Sequence, residues 1–156
     1  MRSFQGEATL RIASPAATVF DVITDVDGLP EWNDAIEKVL VPAPELVPGA
    51  SWTVQVHPPH VPPWGSVSTV TAIDPEAHLF QYRTRHINGN PSWADWTWRI
   101  TPATEGESDV SVSWDVVLNT ADRRLLAGPL RKRQLLREVP KSLEALAARA
   151  AQVSSS

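Results

Sequence analysis

Between residues 36 and 119 the sequence divides into six short runs in which apolar and polar residues alternate, and this pattern restricts the fold more than any other feature. Residues 110–118 form the clearest run, since every even-numbered position there is apolar and most odd-numbered positions are Ser or Asp. Residues 4–12 have the same period of two, and segments rich in proline, glycine and asparagine separate the later runs. The pattern predicts seven strands in an antiparallel sheet with one apolar and one polar face.

Two short helical segments are predicted between the first strand and the other six. Ser14 is expected to cap the first segment, and Pro15 is expected at its first helical position. Apolar residues recur at helical spacing over residues 16–24, and the turn-forming sequence of residues 27–30 ends this pattern. The tripeptide at 31–33 is predicted to form a second, shorter helical turn.

The C-terminal part of the chain has the pattern of one long helix. Gly128-Pro129 is interpreted as a kink or a restart, and Pro140 is expected to bend the helix. An apolar stripe recurs at steps of three and four residues through Leu136, Val139, Leu143, Leu146 and Ala150. Four basic residues are expected on the opposite, solvent-facing side: Arg131, Lys132, Arg133 and Arg137.

This order of elements predicts an α+β fold in which a curved sheet is wrapped around the long helix. Residues 1–156 are expected to form one domain, with residues 153–156 as a frayed tail. A helix laid across a strongly curved sheet leaves space between the two, so we expect an internal cavity. Ser and Thr residues blur the alternation over residues 65–73, and which face of this strand lines the cavity stays open.

The aromatic composition points to the kind of ligand that such a cavity would hold. Seven tryptophans stand beside three phenylalanines and one tyrosine. Indole rings are large and flat, so they can either stack on aromatic ligands or simply fill the core. Both interpretations stay open from the sequence.

Charge and cysteine content exclude several classes of function. The net charge of −4 does not favour nucleic acid, and the absence of cysteine excludes disulfides and thiol nucleophiles. No stretch of eighteen apolar residues occurs, and we expect a cytoplasmic protein without stable membrane insertion. The four histidines lack metal-ligand spacing, so neither a metal nor another cofactor is expected.

These segments together resemble the START-like superfamily, also called SRPBCC, and within it the polyketide cyclase/dehydrase and lipid-transport group. The resemblance covers residues 4–151. Its most specific part is a proline, a spaced apolar pair, an aspartate and a Pro-x-Trp sequence: Ser14-Pro15, Val19-Phe20, Ile23, Asp25, Leu29-Pro30 and Glu31-Trp32. Val47-Pro48-Gly49 and Asp74-Pro75 followed by residues 79–82 match as well. The resemblance implies the helix-grip fold, in which a curved antiparallel sheet of seven strands surrounds a long C-terminal helix.

The resemblance implies no fixed catalytic triad, because cyclases of this group are thought to work chiefly by shaping a bound poly-β-ketone chain. The positions that it implies for ligand binding are Trp32, Phe80, Tyr82, Trp96, Trp98, Trp114, Leu126 and Leu130. We add Trp52, which lies on the apolar side of its own strand. Tyr82 and His86 are the candidate catalytic residues, because either side chain could move a proton in a pocket.

The remaining polar residues of the sheet are expected to lie on its solvent face. Arg83, Arg85 and Arg99 share one strand phase, and Asp95 and Asp115 are their expected partners. An anion clamp formed by these arginines is the functional alternative.

Three hypotheses about function follow, all for a monomer or a homodimer. The first is an enzyme, a cyclase or dehydratase that binds a hydrophobic, aromatic or polyketide-like molecule and uses no metal or nucleotide cofactor. The second is a non-catalytic carrier or sensor of a lipid-like ligand. The third is a protein-interaction module of the stress-response-activator type, which would use a surface instead of a cavity.

Overall fold

The structure is a computed structural model that describes residues 2–57, 62–87, 91–118 and 128–155, with the backbone alone at residues 2, 128–130, 154 and 155. Seven strands form one sheet in the order β1-β7-β6-β5-β4-β3-β2, and all neighbouring strands are antiparallel. The strands are β1 (Arg2–Ile12), β2 (Ile36–Val41), β3 (Ser51–Val56), β4 (Trp64–Asp74), β5 (Leu79–His86), β6 (Trp93–Pro102) and β7 (Ser108–Leu118). The seven-stranded antiparallel sheet predicted from the alternation is thereby confirmed.

The predicted first helix is present as α1 (Ala16–Thr24), with Pro15 in the capping position and Ser14 outside it. The hydroxyl of Ser14 makes no capping bond, and its backbone carbonyl accepts a hydrogen bond of 2.9 Å from the Ser108 hydroxyl on β7. A 3₁₀ helix (Val26–Glu31) then covers the segment that was predicted to be a break. Short 3₁₀ segments commonly serve as connectors, and Pro30 lies near the C-terminal end of this one.

The long C-terminal helix, α2 (Gly128–Ser155), begins at Gly128 and continues through Pro140. Its buried stripe consists of Leu135, Val139, Leu143, Leu146 and Ala150. The expectation that Leu136 belongs to this stripe is wrong, because 52% of Leu136 is exposed. The neighbouring Leu135 takes its place against the sheet at 3% exposure.

The inner face of the sheet and the buried stripe of α2 form the core, and α1 packs against α2. The strand whose cavity-facing side the sequence left open, β4, turns Ser66, Ser68 and Val70 towards this core. A register shift between Val70 and Ala72 then interrupts the ladder with β5. Two serines on the inner face give a hydrogen-bonding surface to a wall that is otherwise mostly apolar.

Candidate ligand-binding site

A cavity of about 430 Å³ lies between the inner face of the sheet and the first half of α2. Its volume is within the range of pockets that hold drug-sized molecules. In the sheet wall of this cavity, paired residues on neighbouring strands form rows that run across the strands. One row contains Tyr82 and Trp96, the next Trp52, Ser68 and Thr84, and a third Ser66 and His86.

Four of the predicted aromatic residues line this cavity: Trp52, Tyr82, Trp96 and Trp98. The rings of Trp52 and Tyr82 contact each other edge to face, with 5.3 Å between their centroids. Alternate positions on one face of β3, β5 and β6 bring these side chains together, as the period of two requires. The result is an aromatic wall, which we define as Trp52, Tyr82, Trp96 and Trp98, suited to flat apolar molecules.

Tyr82 is the polar residue within the aromatic wall. The indole Nε1 of Trp98 donates a hydrogen bond of 3.1 Å to its hydroxyl oxygen. Burial raises the pKa of Tyr82 to about 12, because the phenolate would lose its hydration, and the bond from Trp98 offsets this only in part. Tyr82 is therefore a neutral phenol at physiological pH and acts as a hydrogen-bond donor, not as a base.

Three other predicted ligand-binding residues, Phe80, Trp32 and Trp114, lie outside the cavity lining. Phe80 is 1% exposed and stacks on Trp52, with 6.0 Å between the ring centroids. Trp32 is 4% exposed and meets Trp98 edge-on, and its Nε1 is buried without a hydrogen-bond partner among the described residues.

The ring of Trp114 extends over Gly6, its register partner on β1, where even a Cβ atom would overlap it. Trp114 also contacts Trp96, with 5.8 Å between the ring centroids. It therefore packs against the aromatic wall on the side of β1. Leu126 and the side chain of Leu130 lie outside the described residues.

A row of polar side chains on α2 also faces the cavity, and sequence reasoning missed it. Arg131, Gln134, Glu138 and Ser142 follow one another at steps of three and four residues, beside the apolar stripe. The expectation that Arg131 belongs to the solvent face is wrong. Burial lowers the pKa of Arg131 and raises that of Glu138, because each charged form loses part of its hydration against the cavity wall.

His86 lines the cavity at the end of β5, where its ring stacks on Trp64 with 5.4 Å between the centroids. The other described histidines lie elsewhere. His57 is beside Glu37, with 3.3 Å between Nδ1 and Oε2, and His78 contacts Phe20. Among the residues that the structure describes, no three potential ligands cluster closely enough to hold a metal ion.

The arginines of β5 occupy two different environments. Arg83 makes a bidentate ion pair with Asp95 across the β5–β6 ladder, with N–O distances of 2.7 and 2.9 Å. Arg85 is exposed, places its guanidinium over the Trp93 ring, and contributes to the cavity edge. The neighbouring Asp115 lies opposite Asp95 in the ladder, and its Oδ1 has no partner among the described residues.

The fold recurs in known structures of low sequence identity. The Zhui aromatase/cyclase from Streptomyces sp. R1128 has a TM-score of 0.77 at 21% identity, over 97% of this chain and 95% of that one. A START superfamily protein from Mycobacterium smegmatis has a TM-score of 0.71 at 17% identity, over 96% and 98% of the two chains. Norcoclaurine synthase from Thalictrum flavum, with a transition-state analogue, has a TM-score of 0.66 at 14% identity, over 98% and 97%.

These structures confirm the START-like helix-grip fold expected from the sequence. No curated protein matches the sequence. No helix within the described part of the chain is both long and apolar enough to cross a membrane. The model of one family, described as polyketide cyclase / dehydrase and lipid transport, matches residues 3–151. Since this match spans nearly the whole sequence, the chain belongs to the polyketide cyclase / dehydrase and lipid transport family.

Proposed function

We propose that the protein binds a flat, hydrophobic, polyketide-like small molecule in the cavity between its sheet and α2. The observation that carries this proposal is the aromatic wall, which borders about 430 Å³ of internal space. An interaction module that acts through its surface has no need of such a space. A molecule with fused aromatic rings would bury its faces against the indoles and gain the stabilisation that aromatic pairs provide.

The Tyr82 phenol gives this site a polar contact for a ligand carbonyl. Its oxygen already accepts from Trp98, so its own proton is directed to another acceptor, and none occurs among the described residues. A ligand ketone or quinone oxygen in the cavity would accept this proton as a hydrogen bond. Family membership supports a ligand of this kind, since the family description includes polyketide cyclases.

A cyclase or dehydratase step is the second candidate, and one combination of residues favours it. Tyr82, His86 and Glu138 all line the same cavity. In an intramolecular aldol closure, a base removes a proton from the carbon between two carbonyls, and this carbon then bonds to a distant ketone carbon. Tyr82 would donate a hydrogen bond to the ketone oxygen as its negative charge develops, while Glu138 or His86 would be the base.

Tryptophan-fluorescence titration with emodin, a flat polyhydroxylated anthraquinone, tests the binding proposal. We expect saturable quenching at micromolar ligand, and weaker affinity in Trp96→Ala. Thr101→Ala is the matched control, because Thr101 is exposed on the same strand and lies outside the cavity lining. Absence of saturable quenching with emodin, other anthraquinones and fatty acids would exclude the cavity as a ligand site.

Incubation with a reactive poly-β-ketone chain separates the enzyme from the carrier. An enzyme would release a cyclised or dehydrated product faster than the uncatalysed reaction, and Glu138→Gln or His86→Gln would slow it without loss of binding. Binding of the cyclised product without any acceleration would identify a carrier or sensor.

A further inference from the structure

The cavity differs in charge between its two ends. The end defined by Trp64, Arg85, His86 and Arg131 is called the basic end here. Ladder pairing places Ser66 opposite His86, and Trp64 lies two residues before Ser66, so Trp64 and His86 belong to the same end of the sheet. The described lining residues include two arginines, Arg85 and Arg131, but only one carboxylate, that of Glu138. The chain as a whole carries a net charge of −4, so this local excess of positive charge runs against its overall balance.

Arg131 is the less exposed of the two arginines at the basic end. Its guanidinium carbon lies 5.6 Å from the centroid of the Trp64 ring, and its Nη1 donates a hydrogen bond of 2.9 Å to Oε1 of Gln134. Among the described residues no carboxylate oxygen lies within 4.0 Å of it. A guanidinium carries five N–H donors, so most of them have no acceptor among the residues that the structure describes.

Arg131 is partly buried, and a charge withdrawn from water is costly unless an ion of opposite sign or several hydrogen bonds compensate it. Gln134 is neutral, and the Trp64 ring covers only the face of the guanidinium. Glu138 attracts Arg131 from a greater distance but is not paired with it. The planar edge of Arg131 is therefore the part of the cavity that best fits a bidentate carboxylate.

We propose that the ligand is an aromatic acid whose carboxylate binds Arg131 while its fused rings lie along the aromatic wall. This inference rests on the proposed function and adds the chemical class of the ligand and its orientation. Tyr82 and His86 are four residues apart on β5, a separation of about 13 Å at the rise of an extended strand. An elongated ring system with a carboxylate at one end would span this distance, whereas a compact neutral molecule would reach only one end.

The test is isothermal titration calorimetry at neutral pH with anthracene-2-carboxylic acid and its neutral analogue, anthracene-2-carboxamide. We expect the wild-type protein to bind the acid about tenfold or more tightly than the amide, as expected for a charge-assisted pair. Arg131→Gln should remove this preference by weakening the acid alone, and Arg131→Lys should retain only part of it. Arg133→Gln, at an exposed position on the same helix, is the matched control and should change neither affinity.

The outcomes separate the two proposals. Failure of both compounds to bind the wild-type protein would contradict the proposed function and this inference together. Equal binding of acid and amide would contradict this inference alone and leave the cavity as a site for neutral ligands. The comparison in the wild-type protein needs no variant to fold. Loss of the preference in Arg85→Gln but not in Arg131→Gln would assign the carboxylate to the cavity edge and overturn the role of Arg131.

Discussion

The indole Nε1 of Trp98 donates a 3.1 Å hydrogen bond to the hydroxyl oxygen of Tyr82, and this bond joins β6 to β5 within the cavity wall. Trp98 is only 6% exposed, so its donor depends on this acceptor. The same bond occupies the Tyr82 oxygen and leaves the phenol proton for a ligand. It therefore contributes both to the stability of the fold and to the chemistry of the site.

Tyr82→Phe should lower the free energy of unfolding by about 1–3 kcal/mol, because it leaves the buried Trp98 donor without a partner. Urea denaturation followed by circular dichroism would measure the change. The same substitution in a Trp98→Phe background is the control and should cost clearly less, since no indole donor remains there. Equal costs in both backgrounds would show that the hydrogen bond contributes nothing.

Titration of Tyr82 can be observed directly, because it is the only tyrosine in the chain. The ultraviolet absorbance of the phenolate should appear with a midpoint of about 12 in the folded protein, compared with about 10 after unfolding in urea. Because the folded-state pKa is the higher one, the unfolded state releases its proton first. Stability should then fall as pH rises from about 10 to about 12.

Tyr82→Phe provides the control for this pH dependence. The variant has no phenol to titrate, so its stability should fall less steeply over the same pH range. A midpoint near 10 in the folded protein would show that water reaches the phenol freely and that the hydroxyl is not enclosed by the cavity.

Gly6→Ala should destabilise the protein by about 1–3 kcal/mol, the usual cost of overpacking a core. A Cβ atom at this position would overlap the Trp114 ring, which would have to shift and disturb its contact with Trp96. Thermal denaturation would measure the effect. The same substitution should cost less in a Trp114→Phe background, where the smaller ring leaves room. An undiminished cost there would mean that the destabilisation arises from the backbone.

Strand periodicity predicted much of the aromatic wall, because the period of two assigns each side chain to a face without reference to the rest of the fold. Trp52, Tyr82, Trp96 and Trp98 reach the cavity on that basis. Trp114 has the same phase, yet its ring turns away over β1. The position of the Trp114 ring depends on Gly6, which lies more than a hundred residues earlier in the chain. The local sequence pattern around Trp114 therefore does not predict it.

The polar row of α2 could not be predicted for a related reason. Leu135 and Leu136 are both apolar and adjacent, and the choice between them rotates the helix face by about 100°. An apolar stripe that passes through Leu136 predicts that Arg131 faces solvent. In the structure Leu135 packs against the sheet instead, and Arg131 lines the cavity. The same choice predicts that all three basic residues at 131–133 lie on a solvent-exposed face of the helix. Arg131 also contacts the distant residue Trp64, and the sequence of α2 alone does not predict this contact.

If the space beside the aromatic wall holds the ligand, a variant that fills this space should weaken binding most directly. Ala94 lines the cavity between Thr84 and Val116, so Ala94→Leu would occupy part of this space without adding a polar group. Thr101→Leu, at an exposed position of the same strand, is the matched control.

The measurement is the dissociation constant of emodin, obtained by fluorescence titration of both variants after circular dichroism has shown that each is folded. We expect at least tenfold weaker binding in Ala94→Leu and unchanged binding in Thr101→Leu. Wild-type affinity in a folded Ala94→Leu protein would contradict this expectation, because the ligand would then bind outside the cavity.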